Sequence, residues 1–224
     1  MKIIDAHTHI DYITCDFQPD VVGAVCCAVM ESDWQKIVNL IKTDNRVYGA
    51  FGIHPWFIDV AEKDFDKRLT KLLKINSCYM VGEIGLDYHW DKDNKDVQKR
   101  YFIEQLKLAG KYNLPIVIHS REAANDTYEV LKENKNYYKK GIMHCYSYSV
   151  EMANKFIDLG FKLSFGGALT FLNSKENKSV VKNMNIENLL LETDAPYLSP
   201  QPVRRQINNS SYITYVIDNI ADIK

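Results

Sequence analysis

Residues 21–53 read VVGAVCCAVMESDWQKIVNLIKTDNRVYGAFGI, two apolar runs joined by a more polar segment. The runs are Val21 to Met30 and Val47 to Ile53. Between them the apolar residues recur with the spacing of one helix face, at Trp34, Ile37, Val38 and Ile41. A buried strand, an amphipathic helix and a second buried strand are the repeating unit of parallel α/β sheets. The stretch therefore predicts a strand–helix–strand unit.

The same alternation continues through the rest of the chain. The short apolar runs are Ile3 to Ala6, Val21 to Met30, Val47 to Ile53, Tyr79 to Ile84, Pro115 to Ile118, Gly141 to Met143, Phe161 to Phe165 and Leu189 to Leu191. Helical spacing lies between most of them, and it is weakest in the polar stretch from Asn173 to Met184. Eight such alternations predict a TIM-type (β/α)8 barrel, regular or distorted, with residues 1–224 forming a single α/β domain. An open doubly wound sheet is the alternative, although the GxGxxG and GxxxxGK[ST] motifs of nucleotide-binding folds are missing.

The charge balance excludes a protein that coats nucleic acid with a basic surface. The 28 Lys and Arg residues are matched by 29 Asp and Glu residues, which gives a net charge of −1. Without an overall basic field, a polyanionic substrate has to be met locally, by metal ions and a few arginines.

Cysteine usage and hydropathy predict a cytoplasmic protein. The five cysteines are Cys15, Cys26, Cys27, Cys78 and Cys145, and none forms a CxxC pair. Cys26 and Cys27 lie in an apolar run, as reduced buried thiols do. The N-terminus becomes polar after four residues, unlike a signal peptide, and no stretch approaches the ~18 apolar residues of a membrane span. We expect a monomer that does not contact membranes.

Histidines and carboxylates follow the apolar runs at the points where the strands end. They are His7 and His9 after the first run, Glu83 at the fourth, His119 after the fifth, His144 after the sixth and Asp194 after the eighth. The carboxyl ends of barrel strands meet on one rim, so these side chains are expected to converge. Imidazole and carboxylate together suit Mg, Mn or Zn, and six such groups exceed the needs of one tetrahedral ion. The pattern predicts two divalent ions.

At these residues the chain resembles the TatD family of metal-dependent deoxyribonucleases. The matching motifs run through almost the whole chain: HxH at His7 and His9, GIHP at Gly52 to Pro55, GEIGLDY at Gly82 to Tyr88, LPIVIHSREA at Leu114 to Ala123, HCYS at His144 to Ser147, LGFKLSFGG at Leu159 to Gly167 and LLLETDAPYLSP at Leu189 to Pro200. HxH alone is common among amidohydrolases, but these motifs in this order are specific.

The resemblance implies a role for each candidate residue. His7, His9 and Asp194 would hold one metal ion, His119 and His144 the other, and Glu83 both. Glu83 and Asp194 would be the catalytic carboxylates, with Asp194 orienting or deprotonating the attacking water. The implied reaction is hydrolysis of DNA phosphodiester bonds from an end, with a hydroxide that bridges the metals as nucleophile.

Substrate contacts are expected around this rim. Arg121 and Arg204 are candidate phosphate clamps, because guanidinium groups match phosphate oxygens, although surface salt bridges would also explain them. His54 matches a family position near the site. The aromatic residues His89, Trp56 and Trp90 either stack on a splayed base or pack beneath a loop.

The chain departs from the family pattern after Pro200. Where the family carries a PHRGxxNEP-like segment, Arg204 and Asn208 remain, whereas Val203 replaces the histidine and Asn209 and Ser210 replace the glutamate–proline pair. These replacements indicate altered handling of the substrate on that rim. Family members also usually add a C-terminal helix beyond the position of Lys224, and the set of candidate metal ligands is complete without it.

Two other functions remain as alternatives to a nuclease. Barrel amidohydrolases hydrolyse C–N or ester bonds of small molecules, but they often bridge their metals with a carboxylated lysine, where this chain has Glu83. A non-catalytic metal-binding protein is the third reading, against which all six candidate metal ligands are present.

Overall fold

The computed structural model describes residues 1–13, 17–75, 78–90 and 92–224. The strands are β1 (Ile3–Thr8), β2 (Val21–Cys27), β3 (Val47–Phe51), β4 (Cys78–Asp87), β5 (Ile116–Arg121), β6 (Gly141–Met143), β7 (Phe161–Phe165) and β8 (Leu189–Leu191). The α-helices are α1 (Glu31–Thr43), α2 (Phe65–Leu72), α3 (Lys95–Tyr112), α4 (Ala124–Glu133), α5 (Val150–Asp158), α6 (Lys175–Asn183) and α7 (Ile213–Ile223). Each apolar run of the sequence coincides with a strand, and the weak helical pattern of residues 173–184 contains α6.

The strands follow one another around the sheet in chain order, and each pairs in parallel with the next. Helices alternate with them to form a nearly closed TIM-type barrel, which confirms the predicted fold class. The open doubly wound alternative is wrong, because such a sheet reverses its strand order at a switch point and this one does not. Between β1 and β2 the described residues contain only a short 3₁₀-helix, Ile10–Tyr12.

Backbone hydrogen bonds join the two ends of the sheet at the carboxyl rim. The Asp194 N–H donates to the His7 carbonyl at 3.0 Å, and the His9 N–H donates to the Ala195 carbonyl at 2.7 Å. The segment after β8 is thereby fixed against the end of β1. This seam brings the first and last candidate residues of the sequence into one site.

Two apolar clusters lie on opposite sides of the sheet. The inner cluster takes one small or slender side chain from each of β1 to β6: Ala6, Cys27, Ala50, Met80, Val117 and Ile142. Their chain neighbours, such as Phe51, Val81 and Ile118, point outward into the larger cluster between sheet and helices. Because the inner cluster fills the lower barrel, the polar side chains above it form the floor of an open cavity.

The described cysteines are free, and those of the strands are buried. Cys26, Cys27, Cys78 and Cys145 form no disulfide, and burial raises the pKa of the Cys26 and Cys27 thiols well above its ordinary value. Both are packing residues, as the apolar run predicted. Cys15 lies outside the described residues. Among the helices that the structure describes, none is long and apolar enough to cross a bilayer.

Candidate metal centre

The six predicted metal ligands meet at the carboxyl end of the barrel. They come from five different strands or strand ends: His7 and His9 from β1, Glu83 from β4, His119 from β5, His144 from the residue after β6, and Asp194 from the segment after β8. His7, His9, Glu83 and His144 are buried, and their donor atoms form compact groups. The structure therefore brings together residues that lie up to 187 positions apart in the chain.

One group consists of two imidazoles and two carboxylates. The Nε2 atoms of His7 and His9 lie 3.2 Å apart. Asp194 Oδ1 is 3.6 Å from the first and 3.3 Å from the second. Glu83 Oε2 is 3.5 and 3.6 Å from the same two nitrogens. Ligands bonded tetrahedrally at 2.0–2.1 Å are separated by about 3.3–3.4 Å, so the atoms of His7, His9 and Asp194 fit one ion, with Glu83 Oε2 at a similar distance from both imidazoles.

The other oxygen of Glu83 faces a second group of imidazoles. Oε1 lies 2.9 Å from His119 Nδ1, 3.2 Å from His144 Nε2 and 3.6 Å from His54 Nε2. One carboxylate thus offers a separate oxygen to each group of histidines. This donor set fits a pair of divalent ions with a carboxylate between them.

Hydrogen bonds on the outer nitrogens set the tautomers of two candidate ligands. His9 Nδ1 lies 2.8 Å from the Cys27 carbonyl, so this nitrogen carries the proton and Nε2 presents a lone pair to the cluster. In His119 the two nitrogens exchange these roles. Nε2 carries the proton and lies 2.8 Å from Asp87 Oδ2, which leaves Nδ1 free to face Glu83. Both rings are oriented as neutral metal ligands are.

His54 carries its proton on the opposite side. Its Nδ1 accepts the Trp56 backbone N–H at 3.1 Å, so the proton of the neutral ring resides on Nε2 and points toward Glu83. Burial lowers the pKa of His54 well below its ordinary value, which keeps the ring neutral. His54 is therefore built as a hydrogen-bond donor into the cavity, in contrast to His9 and His119.

The electrostatics of the cluster favour positive charge. Burial alone would raise the pKa of Glu83, but the positive charge of His144, together with a hydrogen bond from His119, holds it well below its ordinary value. Burial opposes protonation of His9, yet the carboxylates of Asp194 and Glu83 raise its pKa to about 9. A buried anionic site of this kind attracts cations, whether protons or divalent metals.

Two backbone features place the carboxylates. Asp194 adopts a left-handed conformation, with φ of 58°, stabilised by its N–H bond to β1 and by a 2.8 Å bond from the Tyr197 N–H to its carbonyl. Gly85 follows Glu83 by two residues, and a side chain there would collide with the His119 carbonyl oxygen. Only glycine allows β4 to approach β5 this closely beside the Glu83–His119 pair.

Comparison with known proteins identifies the family of this chain. A family model described as "TatD related DNase" matches residues 4–224. This chain belongs to the TatD-related DNase family. The uncharacterized metal-dependent hydrolase YabD of Bacillus subtilis is 43% identical over 190 residues, which are 84% of this chain and 74% of YabD. An uncharacterized metal-dependent hydrolase of Buchnera aphidicola is 31% identical over 245 residues, covering 100% of this chain and 92% of the relative.

The crystal structure of YjjV, a TatD homologue from Escherichia coli, has the same fold. It superimposes with a TM-score of 0.91 at 27% identity, over 99% of this chain and 90% of YjjV. This chain is thus a member of a family of metal-dependent hydrolases. Its cluster of His, Glu and Asp residues could bind metal.

Two carboxylates behind the cluster received no role from the sequence. Asp87 bonds to His119, and Glu192 Oε1 lies 3.4 Å from His144 Nδ1 while accepting the Cys145 N–H at 2.8 Å. Both stand in the quoted motifs, Asp87 four residues after Glu83 and Glu192 two residues before Asp194. Even spacing along β4 places Asp87 on the same side as Glu83, and this signal could have identified it, whereas Glu192 lies directly after β8.

Buried glutamines of α3 hold two segments of the rim. Gln98 accepts the Asp87 N–H and donates to the Asp87 carbonyl, both at 2.8 Å. Gln105 accepts the Ile53 N–H at 2.8 Å and donates to the Ile53 carbonyl at 3.2 Å. Seven residues separate them, so both project from one helix face, where sequence periodicity alone would predict apolar residues.

The predicted phosphate clamps lie outside the central cavity. The Arg121 guanidinium is 5.8 Å from the Trp90 ring centroid, and that of Arg204 is 4.3 Å from the Phe171 ring. Both arginines are exposed, and neither is among the described residues that line the cavity. His54, in contrast, lines it.

The altered segment after Pro200 supports the seam of the barrel. Asn208 donates to the carbonyls of Thr193 and Tyr197 at 2.8 and 2.6 Å. The Ser210 hydroxyl donates to Asp5 Oδ2 at 2.7 Å, and the Thr193 hydroxyl donates to the same oxygen at 2.6 Å. Asn208 and Ser210 therefore have a structural role.

Proposed function

We propose that this chain is a two-metal phosphodiesterase that degrades DNA from an end. The observation that supports it most is the position of Glu83, whose two oxygens face two separate groups of histidines. Membership of a family described as DNases supports the substrate class. We also expect the enzyme to be a cytoplasmic monomer.

Six side chains would hold the two ions. His7, His9 and Asp194 would bind one, His119 and His144 the other, with Glu83 shared. When bound there, Mg, Mn or Zn supplies Lewis-acid polarisation of the phosphoryl group and lowers the pKa of water.

The protein's own groups then handle protons and orientation. Burial opposes ionisation of Asp194, but the neighbouring imidazoles of His9, His144 and His7, which carry positive charge when protonated, hold its pKa below its ordinary value. Its carboxylate is therefore ionised and able to accept a proton from the attacking water. His54 donates a hydrogen bond from Nε2 to a phosphate oxygen, and Arg121 and Arg204 clamp phosphates farther along the strand.

The test is metal-dependent release of nucleotides from end-labelled single-stranded DNA. We compare the wild type with Asp194→Asn, using Asp218→Asn, an exposed aspartate on α7, as the matched control. Release by the wild type and by the control, lost in a folded Asp194→Asn variant, supports the proposal.

Other outcomes assign the chain elsewhere. Two bound metals per chain without release from DNA would refute the nuclease. A screen of small esters, lactones and amides would then test the amidohydrolase reading. Metal binding without turnover on any of these substrates would favour a non-catalytic metal-binding protein.

A further inference from the structure

Two of the three tryptophans lie exposed beside the metal centre. Trp56 is 48% exposed and Trp90 is 68% exposed, whereas Trp34 is buried at 6%. Large aromatic side chains are costly to leave in water, and groups of them at a cavity mouth are a common mark of a binding surface. Trp90 is too exposed to be packed beneath a loop, so the packing alternative of the sequence does not describe it.

Trp56 is fixed against the candidate metal ligands. Its ring centroid lies 4.9 Å from that of His54 and 6.3 Å from that of His119. The Trp56 ring meets both imidazoles edge-on, at interplanar angles of 76° and 67°. One side of the indole thus packs against the candidate ligands, while about half of the side chain stays open to solvent.

Trp90 extends this surface away from the cavity. Its ring centroid is 6.2 Å from that of Trp56, with the planes at 85°, so the two indoles form a corner. The His89 ring packs edge-on against Trp90, with the ring centroids 4.7 Å apart, and its Nδ1 lies 2.6 Å from Glu122 Oε1. The exposed Arg121 guanidinium lies 5.8 Å from the same ring.

We propose that Trp56, Trp90 and Arg121 form a stacking subsite for one unpaired nucleobase next to the scissile phosphate. This inference rests on the proposed nuclease function and names the feature of the substrate that the site recognises. The indoles supply a flat apolar surface for the base, and Arg121 supplies positive charge for the adjoining phosphate. Because every base has a π face, the subsite recognises the presence of a base without selecting its identity.

The test compares a complete substrate with one that lacks bases. The first is a short single-stranded oligothymidylate. The second is the same oligonucleotide with abasic residues at the last two positions of each end. We expect Trp90→Ala and Trp56→Ala to raise KM for the complete oligonucleotide by about fivefold to a hundredfold, the range of one base–aromatic stack. The kcat/KM for the abasic oligonucleotide stays within about twofold of the wild type, because it has no base to stack.

The control variants separate stacking from damage to the site. Tyr79→Ala removes an exposed aromatic ring at the other end of β4 and should change neither substrate. Trp90→Phe and Trp56→Phe keep a ring and should recover most of the lost affinity. An unchanged KM in both alanine variants, or an equal loss on both substrates, would overturn the subsite.

Indole fluorescence reads the subsite independently of turnover. Oligothymidylate added without divalent metal should quench the wild type, and Trp90→Ala should reduce that quenching, while the buried Trp34 keeps its emission. A wild type that cleaves neither substrate refutes the proposed function, yet quenching that depends on Trp90 would still support the subsite. Absence of quenching would overturn it.

Discussion

The two halves of the candidate metal centre are built differently. In the half with His7, His9 and Asp194, both imidazoles are buried, and the barrel backbone itself orients His9 through the Cys27 carbonyl. In the half with His119 and His144, the rings face carboxylate side chains, and His119 lies beside the half-exposed Trp56. The first half is therefore fixed by folding, whereas single side-chain substitutions can alter the second.

The halves also differ in charge. Asp194 belongs to the first half alone, so that half has a carboxylate of its own in addition to its share of Glu83. The second half has imidazoles and the other oxygen of Glu83. We therefore expect two divalent ions of unequal affinity, the tighter one beside Asp194.

The largest effect is expected where the halves meet. Glu83→Gln removes the charge that both share, so both ions should bind weakly. Activity should fall by about three orders of magnitude or more. Bound metal stabilises the transition state by several kcal/mol, and each loss of about 1.4 kcal/mol lowers the rate tenfold. Elemental analysis and initial rates measure this, with the exposed Glu151→Gln on α5 as control. Retention of one full ion would show that the halves are independent of Glu83.

The second prediction separates the halves. Asp87→Asn and Glu192→Gln remove the negative charges beside His119 and His144 and leave every candidate ligand in place. Metal affinity of the second half should fall by about 10- to 100-fold, the usual effect of losing such a partner, while the first half is unchanged. Calorimetric titration with Mn should show one weakened step of two. Equal weakening of both steps would contradict the contrast between the halves.

The barrel and the convergence of the six candidate ligands could be predicted from the sequence for a simple reason. Strands that are buried on both faces appear in the sequence as apolar runs. Because parallel barrel strands end on one rim, residues that follow different runs, such as His7 and Asp194, are expected to meet there. The sequence did not predict the roles of Gln98 and Gln105. Their function depends on which loop each faces across α3, and no periodicity records that.

Nor could the sequence distinguish His54 from His119. Both are histidines at strand ends, and only the hydrogen bonds at their outer nitrogens make one a donor and the other a candidate ligand. The same holds for Trp56 and Trp90, whose exposure depends on packing rather than on motif. Tautomer and exposure are properties of the assembled rim.

The third prediction concerns the support of the second half by α3. Gln105→Met keeps the volume of the side chain but removes its hydrogen bonds to the buried Ile53 N–H and carbonyl. The free energy of unfolding should fall by about 1–3 kcal/mol, the desolvation cost of an unsatisfied polar group. Urea denaturation measures it, with the exposed Gln201→Met as the control. A change as small as that of the control would mean that the rim segment is held by other contacts.

The smallest effect tests the donor role of His54. In His54→Asn the amide oxygen can still accept the Trp56 N–H, as Nδ1 does, but no N–H reaches Glu83 from the Nε2 position. If His54 donates one neutral hydrogen bond to the substrate, kcat/KM should fall only about two- to tenfold, with metal content unchanged. His54→Gln, whose amide nitrogen reaches the Nε2 position, should recover part of the loss. Loss of an ion in His54→Asn would instead make His54 a ligand, and the second half would then match the first in the number of its donors.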